Sequence, residues 1–336
     1  MLDVPQALVG RRVLLTGATG FIGGSLAHRL LASGVELRAL VRNRDRARGL
    51  GQAGAELRLG DLATRVDPEL AAGIDVVVHA AAWVGTEGDP ELVRTVNVEG
   101  TRRILSVARA AEVDRVVHVS SCAVYGSPQC DEVNESAALH RRGVVYHDTK
   151  VEADELALDA AAAGVPIVIA RPSQVYGPGS REFTVRPIMA IRSGRALLVD
   201  GGRHRCKLVY IDDVVDGLLA CMVMPGVEGE AFNLSAPPVS WRELFEGYAD
   251  MLGSPRIRSV PNEVAWTFAW VAEIIGQVRG RKPPITREVV AALTSDSSFS
   301  AAKAAERLGW RARVDLAEGL RRTEPWLRAQ GLLEPR

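Results

Sequence analysis

Three side chains near the middle of the sequence have types and spacing suited to proton transfer. The first is one of the two serines, Ser120 or Ser121, that end the apolar run RVVHVSS, and the others are Tyr146 and Lys150, four residues apart at the start of a predicted helix. Residues at that spacing share one helix face, so the lysine ammonium is expected to stabilise a phenolate and lower the pKa of the tyrosine. Such a tyrosine can exchange a proton with a substrate oxygen that the serine hydroxyl holds. The pattern predicts chemistry on an alcohol or a ketone.

Alternating strands and helices must position these side chains. The first half predicts strands in RVLLTG, ELRALV, ELRLGD, DVVVHA, RVVHVSS and IVIARP, with helical patterns between them. Near-continuous apolar strands alternating with helices predict an α/β fold built on a doubly wound parallel sheet. Beyond position 180 the alternation weakens, which predicts a smaller, interleaved substrate lobe. The predicted division is 1–180 with 207–235 for the nucleotide-binding part, and 181–206 with 236–336 for the lobe.

A glycine-rich turn follows the first predicted strand and opens a helix. Its sequence, TGATGFIGG, places Gly17, Gly20 and Gly23 three residues apart. Glycines at this point let the main chain approach a pyrophosphate, whose charge lies at the helix N-terminus. An ordinary tight turn is the alternative, but the strand before and the helix after favour a dinucleotide cofactor and a Rossmann fold.

The end of the second predicted strand selects the cofactor. An NAD site usually carries an acid there. In LRALVRNRDRA that position holds Val41 and Arg42, and Arg42, with Arg44 or Arg46, is suited to pair with a 2′-phosphate. The sequence therefore predicts NADP rather than NAD. Asp61 ends the third strand, where it can reach the adenine or simply form a turn.

Composition excludes several other classes of function. The chain of 336 residues has 41 basic and 41 acidic side chains, so no overall charge attracts nucleic acid. Its four cysteines show no metal-binding or disulfide spacing, and no secretory signal is visible, so a cytoplasmic protein without a metal is predicted. The apolar stretch 264–276 is too short to cross a bilayer. We expect it to form a core or lobe helix rather than a membrane-surface contact.

Taken together, the motifs resemble the extended branch of the short-chain dehydrogenase/reductase family. The matching segments, in the family's order, are TGATGFIGG, GDL, HAAA, NVEGT, SSCAVYG, YHDTK, RPSQVYGPG and LVYIDD. The resemblance implies that Ser121, four residues before Tyr125, is catalytic together with Tyr146 and Lys150. It also implies that Tyr176 and Pro178 border the nicotinamide. The predicted cofactor contacts are Gly17, Thr19, Gly20, Phe21, Ile22, Gly23, Arg42, Asp61, Leu62, Ala80, Ala81, Asn97, Tyr146, Lys150, Pro172 and Val175.

Two of these positions have structural alternatives. Asn97 resembles the family's asparagine near the active site, but helix capping or a structural hydrogen bond explains it equally well. His79, at a strand end, is expected to be a packed histidine rather than an acid or base. The resemblance further implies that helices around 101–111 and 151–163 can pair in a homodimer, although the same faces can pack on the sheet.

Differences from the motifs of the family's dehydratases and epimerases narrow the range of reactions expected of this chain. The family's dehydratases carry an acid after the catalytic serine or threonine, whereas Cys122 and Ala123 follow Ser121 here. Nucleotide-sugar epimerases of the family usually have an arginine where this chain has Cys206, with Arg203 and Arg205 as nearby substitutes. The segments LRALVRN and 282–310 resemble dihydroflavonol-reductase-like and 3β-hydroxysteroid-dehydrogenase-like members. The sequence therefore favours an oxidoreductase acting on a ketone or secondary alcohol of a small molecule. A nucleotide-sugar epimerase is the alternative, and a non-catalytic NADP sensor is a third.

Overall fold

The computed structural model describes residues 6–85, 88–126, 131–254, 257–279 and 285–334. The strands are β1 (Arg12–Thr16), β2 (Glu36–Val41), β3 (Glu56–Leu59), β4 (Val76–His79), β5 (Arg115–Val119), β6 (Glu132–Val133), β7 (Ile167–Pro172), β8 (Gln174–Tyr176), β9 (Leu197–Val199), β10 (Arg205–Cys206), β11 (Leu208–Tyr210), β12 (Ala231–Leu234), β13 (Val239–Ser240), β14 (Arg258–Val260) and β15 (Ser298–Phe299). The α-helices are α1 (Phe21–Ala32), α2 (Arg48–Gln52), α3 (Pro90–Arg94), α4 (Gly100–Ala110), α5 (Val145–Ala162), α6 (Arg186–Arg192), α7 (Ile211–Val223), α8 (Trp241–Leu252), α9 (Asn262–Arg279), α10 (Arg287–Leu293), α11 (Ala302–Arg307) and α12 (Leu316–Ala329).

A seven-stranded parallel sheet forms the centre, in the order β12-β7-β5-β4-β1-β2-β3. All its strand pairs are parallel. The inner strands β4, β5 and β7 are buried along their whole length, as their runs of valine and isoleucine predict. The edge strand β3 is largely exposed. The predicted α/β fold with a doubly wound parallel sheet is confirmed.

The sheet brings the predicted site segments to one edge. Chain order reverses between β1 and β4, which are neighbours in the sheet although β2 and β3 lie between them in the sequence. In open parallel sheets, ligands bind outside the carboxyl ends of the strands at such a reversal. The glycine turn follows β1, Ala80 follows β4, and Ser121 lies just beyond β5. The topology alone therefore collects these residues in one crevice.

The later part of the chain crosses between the central sheet and smaller elements. α7 packs on α1 and β7, and β12 forms one edge of the central sheet. Short strand pairs lie elsewhere: β8 with β11, β9 with β14, β10 with β13, and β6 with β15. This interleaving agrees with the predicted course of the chain. The exact division into two parts stays a prediction.

Helix α9 contains the apolar stretch 264–276. Ala265 and Ala269 are buried, while bulky apolar side chains of the same helix are exposed to solvent. The stretch is thus a surface helix and not a core one. Within the described ranges, no helix is both long enough and apolar enough to cross a membrane.

Candidate active site

Tyr146 and Ser121 meet at the carboxyl end of β5. Tyr146 lies in the first turn of α5, and Ser121 precedes a 3₁₀ turn over Cys122–Tyr125. The Ser121 Oγ accepts a 3.1 Å hydrogen bond from the Ala123 amide, which fixes its direction. The Ser121 side chain lies close enough to the Tyr146 hydroxyl to lower the pKa of the phenol. The two hydroxyls that the sequence separates by more than twenty residues therefore form one polar pair.

Lys150 lies one helical turn beyond Tyr146 and is buried. Its Nζ donates a 2.8 Å hydrogen bond to the main-chain oxygen of Val119, the last residue of β5. Burial lowers the pKa of this ammonium to about 8, and the nearby carboxylate of Asp154 opposes that shift. The lysine thus ties α5 to β5 and carries a proton that it can lose near neutral pH.

The pKa of Tyr146 lies above its ordinary value. Burial raises it to about 12; the Ser121 side chain lowers it and the charge of Glu182 raises it. The lysine Nζ is bonded to the main-chain oxygen of Val119, and the expectation that Lys150, together with the nicotinamide charge, lowers this pKa stays a prediction. The tyrosine is consequently a neutral phenol with a proton to donate.

A buried ion pair joins α5, the helix that carries Tyr146 and Lys150, to β7. Asp154, one turn after Lys150 on α5, is fully buried and accepts a 3.1 Å bond from the Nε of Arg171 on β7. Arg171 also donates to the hydroxyl of Tyr125 at 2.8 Å, and that hydroxyl donates to Asn233 at 2.7 Å. Sequence reasoning missed this network. The sequence feature that could have indicated it is that Asp154 lies four residues after Lys150 and therefore on the same helix face.

Asn97 is held in a structural role. It lies in a π-helical turn over Thr95–Glu99, where its Oδ1 accepts a 2.6 Å bond from the Trp83 amide. Its Nδ2 donates to the Trp83 oxygen at 3.1 Å and to the Thr149 hydroxyl at 3.0 Å. The side chain thereby joins the loop after β4 to the helix that carries Tyr146. This geometry matches the structural alternative for Asn97, and a cofactor contact stays a prediction.

His79 is a packed histidine, as expected. Its ring nitrogens contact the hydroxyls of Thr16 at 2.7 Å and Thr101 at 3.0 Å. Burial, with a smaller effect of the Lys150 charge, lowers its pKa to about 3. The ring therefore stays neutral and is not an acid or base at ordinary pH.

The glycine turn has the shape that a pyrophosphate cradle requires. Gly17 has a φ of +75°, and a Cβ there would lie 2.7 Å from the amide nitrogen of Ala81. A Cβ on Gly23 would lie 2.3 Å from the oxygen of Gly17, so the turn packs directly on the helix. Gly20 caps α1 with no side-chain hydrogen bond, which leaves the amides of the first turn without a side-chain partner. These features fit the diphosphate of a dinucleotide.

The predicted adenosine side of the site lies beside this turn. Arg42, just after β2, is exposed, and Leu62 is buried against Gly100. Asp61 accepts a 2.9 Å bond from the Ala63 amide, so its side chain forms the turn that was the alternative to adenine contact. The other predicted contacts here are Thr19, which is exposed, and Phe21 and Ile22, which are half-buried at the start of α1.

The predicted nicotinamide side is formed by other strand ends. Ala80 and Ala81 are half-buried after β4, next to the glycine turn, and Pro172 and Val175 are buried around the end of β7. Tyr176 lies in the core, and its hydroxyl donates to the oxygen of Asp315 at 3.2 Å. This bond assigns Tyr176 to packing against the C-terminal part of the chain rather than to the border of the nicotinamide.

Cys122 is not suited to acid–base work beside Ser121. Its thiol is buried and contacts the main-chain oxygen of Arg171 at 3.1 Å. Burial raises the pKa of this thiol well above its usual value. The position that holds an acid in the family's dehydratases is therefore occupied by a neutral thiol.

The arginines considered for a sugar-nucleotide diphosphate are bonded elsewhere. The Nη1 of Arg205 donates to the main-chain oxygen of Asp296 at 2.9 Å, and Arg203 pairs with Asp200 at 3.1 Å. Gln174 accepts a 2.8 Å bond from the Lys207 amide. These three side chains serve structural contacts here.

Comparison with known proteins reveals similarity along nearly the whole chain. The model of the NAD dependent epimerase/dehydratase family matches residues 13–235. A 4-hydroxy-2-methyl-3-oxo-4-farnesyl-3,4-dihydroquinoline-1-oxide ketoreductase from Stigmatella aurantiaca is 33% identical over 318 residues, covering 92% of this chain and 94% of the relative. A 2-alkyl-3-oxoalkanoate reductase from Stenotrophomonas maltophilia is 29% identical over 331 residues, covering 93% and 98%. The crystal structure of DesIV, a dTDP-glucose 4,6-dehydratase from Streptomyces venezuelae with NAD and TYD bound, has a TM-score of 0.76 at 26% identity, covering 96% and 99%.

Proposed function

Since the chain belongs to the NAD dependent epimerase/dehydratase family, we propose that it reduces a ketone to a secondary alcohol with NADPH. It is an enzyme of the extended short-chain dehydrogenase/reductase type, and the relatives described above are two reductases and a dehydratase. The observation that carries the proposal is the close approach of the Tyr146 and Ser121 side chains at the carboxyl end of β5. Because the pKa of Tyr146 is about 12, this pair presents a phenolic proton to a substrate oxygen.

Each member of the trio has a distinct proposed task. The hydroxyl of Ser121, held by the Ala123 amide, donates to the ketone oxygen and fixes its position. Tyr146 donates the proton that the oxygen gains as the alcohol forms. Lys150 keeps α5 against β5 through its bond to Val119 and supplies positive charge close to the phenol. A reduced nicotinamide, when bound, supplies the hydride.

The preference for NADP rests on Arg42. This arginine is exposed just beyond β2, and its guanidinium has no hydrogen-bond or ion-pair partner in the described part of the chain. Arg44 and Arg46 are exposed nearby. A free guanidinium is suited to a bidentate contact with a 2′-phosphate, which NAD lacks.

An apolar ketone is the proposed substrate. The two relatives described above are named for a farnesylated quinoline oxide and for a 2-alkyl-3-oxoalkanoate, both of which carry large hydrocarbon parts. Arg203 is bonded to Asp200 and Arg205 to the main-chain oxygen of Asp296, which disfavours binding of a sugar-nucleotide diphosphate by these arginines. The neutral Cys122 disfavours elimination of water.

Stoichiometry separates the reductase from the alternatives. The purified protein is incubated with NADPH and with a 2-alkyl-3-oxoalkanoate or a 3-ketosteroid, and in parallel with NAD and UDP-glucose. Oxidation of one NADPH per alcohol formed supports the reductase. Conversion of UDP-glucose without net change of nicotinamide absorbance supports an epimerase, and absence of turnover with all of them supports a sensor.

We further propose that the protein works in a reducing compartment such as the cytoplasm and that it forms a homodimer. Cys122, Cys206 and Cys221 are free thiols. Helices α4 and α5 lie against each other, and Leu158 of α5 is 36% exposed. A second copy that contacts these two helices would cover Leu158, and light scattering measures whether the mass doubles.

A further inference from the structure

Helix α9 presents an unusually apolar face to solvent. Phe268 is 60% exposed and Trp270 is 51% exposed. The other exposed apolar side chains of this face are Val264, Trp266, Val271, Ile274 and Ile275, and Val289 of the neighbouring α10 is also exposed. We call these eight side chains the α9 face. A contiguous apolar patch that contains several aromatic residues marks a binding surface rather than ordinary surface.

Small side chains on the opposite side hold α9 to the protein. Ala265 and Ala269 are buried in a cluster with Val199 and Val290. Glu273 accepts two bonds from Arg287, at 2.8 Å from its amide and 2.7 Å from its Nε, which fastens α9 to α10. The helix is therefore anchored without using its large side chains, and those remain available to a partner.

Among the side chains that the structure describes, this side of α9 offers few polar groups for specific recognition, with Glu263 in the first turn and Thr267 among them. Thr267, the hydroxyl residue within this arc, donates to the main-chain oxygen of Glu263 at 2.8 Å, so its hydroxyl is satisfied inside the helix. Protein interfaces usually carry about one hydrogen bond per 100–200 Å². A hydrocarbon layer requires none, and tryptophan side chains favour the boundary between that layer and water.

Charge distinguishes the two ends of the helix. Arg279 ends α9 and is exposed, and the sequence continues with Gly280, Arg281 and Lys282. Glu263 lies in the first turn, at the opposite end. A basic residue such as Arg279 at the end of an apolar helix adds attraction to anionic lipid headgroups.

Helix α10, which is fastened to α9, contacts the helix that carries Tyr146. Glu288 of α10 approaches His147, with 3.6 Å between Oε1 and Nδ1. His147 directly follows Tyr146, so α10 lies against the first turn of α5.

From these observations we propose that the α9 face docks the protein onto the surface of an anionic phospholipid bilayer. The helix lies in the plane of the interface and does not cross the membrane, in agreement with its length. The proposal differs from the expectation that 264–276 makes no contact with a membrane surface. The docking does not depend on the proposed reaction, because the face lies outside the trio.

Vesicle flotation tests the proposal with the full chain and no substrate or cofactor. The vesicles contain phosphatidylglycerol and phosphatidylcholine in equal parts, or phosphatidylcholine alone. The test variant replaces Phe268 and Trp270 by glutamate. The control is Val9→Glu, which places one glutamate at an apolar side chain that is 63% exposed elsewhere. Circular dichroism checks that both variants are folded.

The proposal predicts that the wild type and Val9→Glu float with the anionic vesicles, while the double variant binds roughly tenfold less. Binding to phosphatidylcholine alone should be weaker. Equal binding to both vesicle types contradicts the anionic part of the proposal. A wild type that stays off both vesicles, or a folded double variant that floats as well as the wild type, overturns it. A wild-type oligomer that the double variant dissociates, without vesicle binding, assigns the face to a second copy instead.

Discussion

The buried ammonium of Lys150 donates a 2.8 Å hydrogen bond to the main-chain oxygen of Val119. Val119 ends β5, two residues before Ser121, and Lys150 lies one turn after Tyr146. This single bond therefore fixes the distance between the strand that carries one hydroxyl and the helix that carries the other.

Lys150 is expected to make stability depend on pH. Its pKa is about 8 in the fold, below its ordinary value of 10.5, because burial disfavours the charged form. Between these two values the unfolded chain binds the proton more strongly, so the free energy of unfolding should rise as pH increases from 8 to 10.5, by roughly 3 kcal/mol at most. Urea unfolding of the wild type and of Lys150→Met measures it. A rise that is equal in both proteins would show that other groups cause it.

The ion pair of Asp154 and Arg171 should be essential for folding stability. Asp154→Asn leaves a buried guanidinium without its carboxylate and should lower the free energy of unfolding by about 3–5 kcal/mol. It should also lower the pKa of Lys150 further, since Asp154 opposes the effect of burial. The double variant Asp154→Leu/Arg171→Met serves as control and should be more stable than Asp154→Asn. A single variant as stable as the wild type contradicts the assignment.

The glycine turn should tolerate alanine at position 24 but not at position 23. In Gly23→Ala the new Cβ would lie 2.3 Å from the oxygen of Gly17, so the turn must shift, at a cost of about 1–3 kcal/mol. In Gly24→Ala the nearest atom is the oxygen of Ala18 at 3.4 Å, and helix propensity favours alanine. Thermal unfolding and NADPH titration compare the two variants. Equal stability and equal affinity would contradict the close packing of the turn.

Arg42→Asp should change the cofactor preference. The substitution removes the proposed partner of the 2′-phosphate and adds a carboxylate that can accept from the ribose hydroxyls. We expect the ratio of Kd for NADPH to Kd for NADH to increase about tenfold or more. Arg311→Asp makes the same charge change at another exposed arginine and should leave the ratio unaltered. An unchanged ratio in Arg42→Asp would remove the basis for NADP.

The fold was largely predictable because it depends on local patterns. Val76–His79 and Ile167–Pro172 are continuous apolar runs, and such runs alternating with helices form a buried parallel sheet. The spacing of Gly17, Gly20 and Gly23 likewise depends on neighbours in the sequence. The meeting of Ser121 and Tyr146 followed from the family resemblance.

Other features could not be predicted because they depend on contacts between distant segments. The partner of Arg171 is decided by how β7 packs on α5, and the bond of Lys150 to Val119 depends on the same contact. The pKa of Tyr146 is set by burial, which a four-residue spacing does not reveal. The exposure of Phe268 depends on which side of α9 carries the small alanines and what they pack against.

Ketone reduction by Tyr146→Phe is the most direct test of the proposed mechanism. The substitution removes the phenolic proton and keeps the ring. Single-turnover oxidation of bound NADPH by the ketone is compared in the wild type, Tyr146→Phe and Tyr176→Phe, whose hydroxyl bonds Asp315 away from the trio. We predict that Tyr146→Phe is slower by about 10²- to 10⁴-fold and that Tyr176→Phe stays within a few-fold of the wild type. A Tyr146→Phe enzyme that reduces the ketone at the wild-type rate would contradict the account.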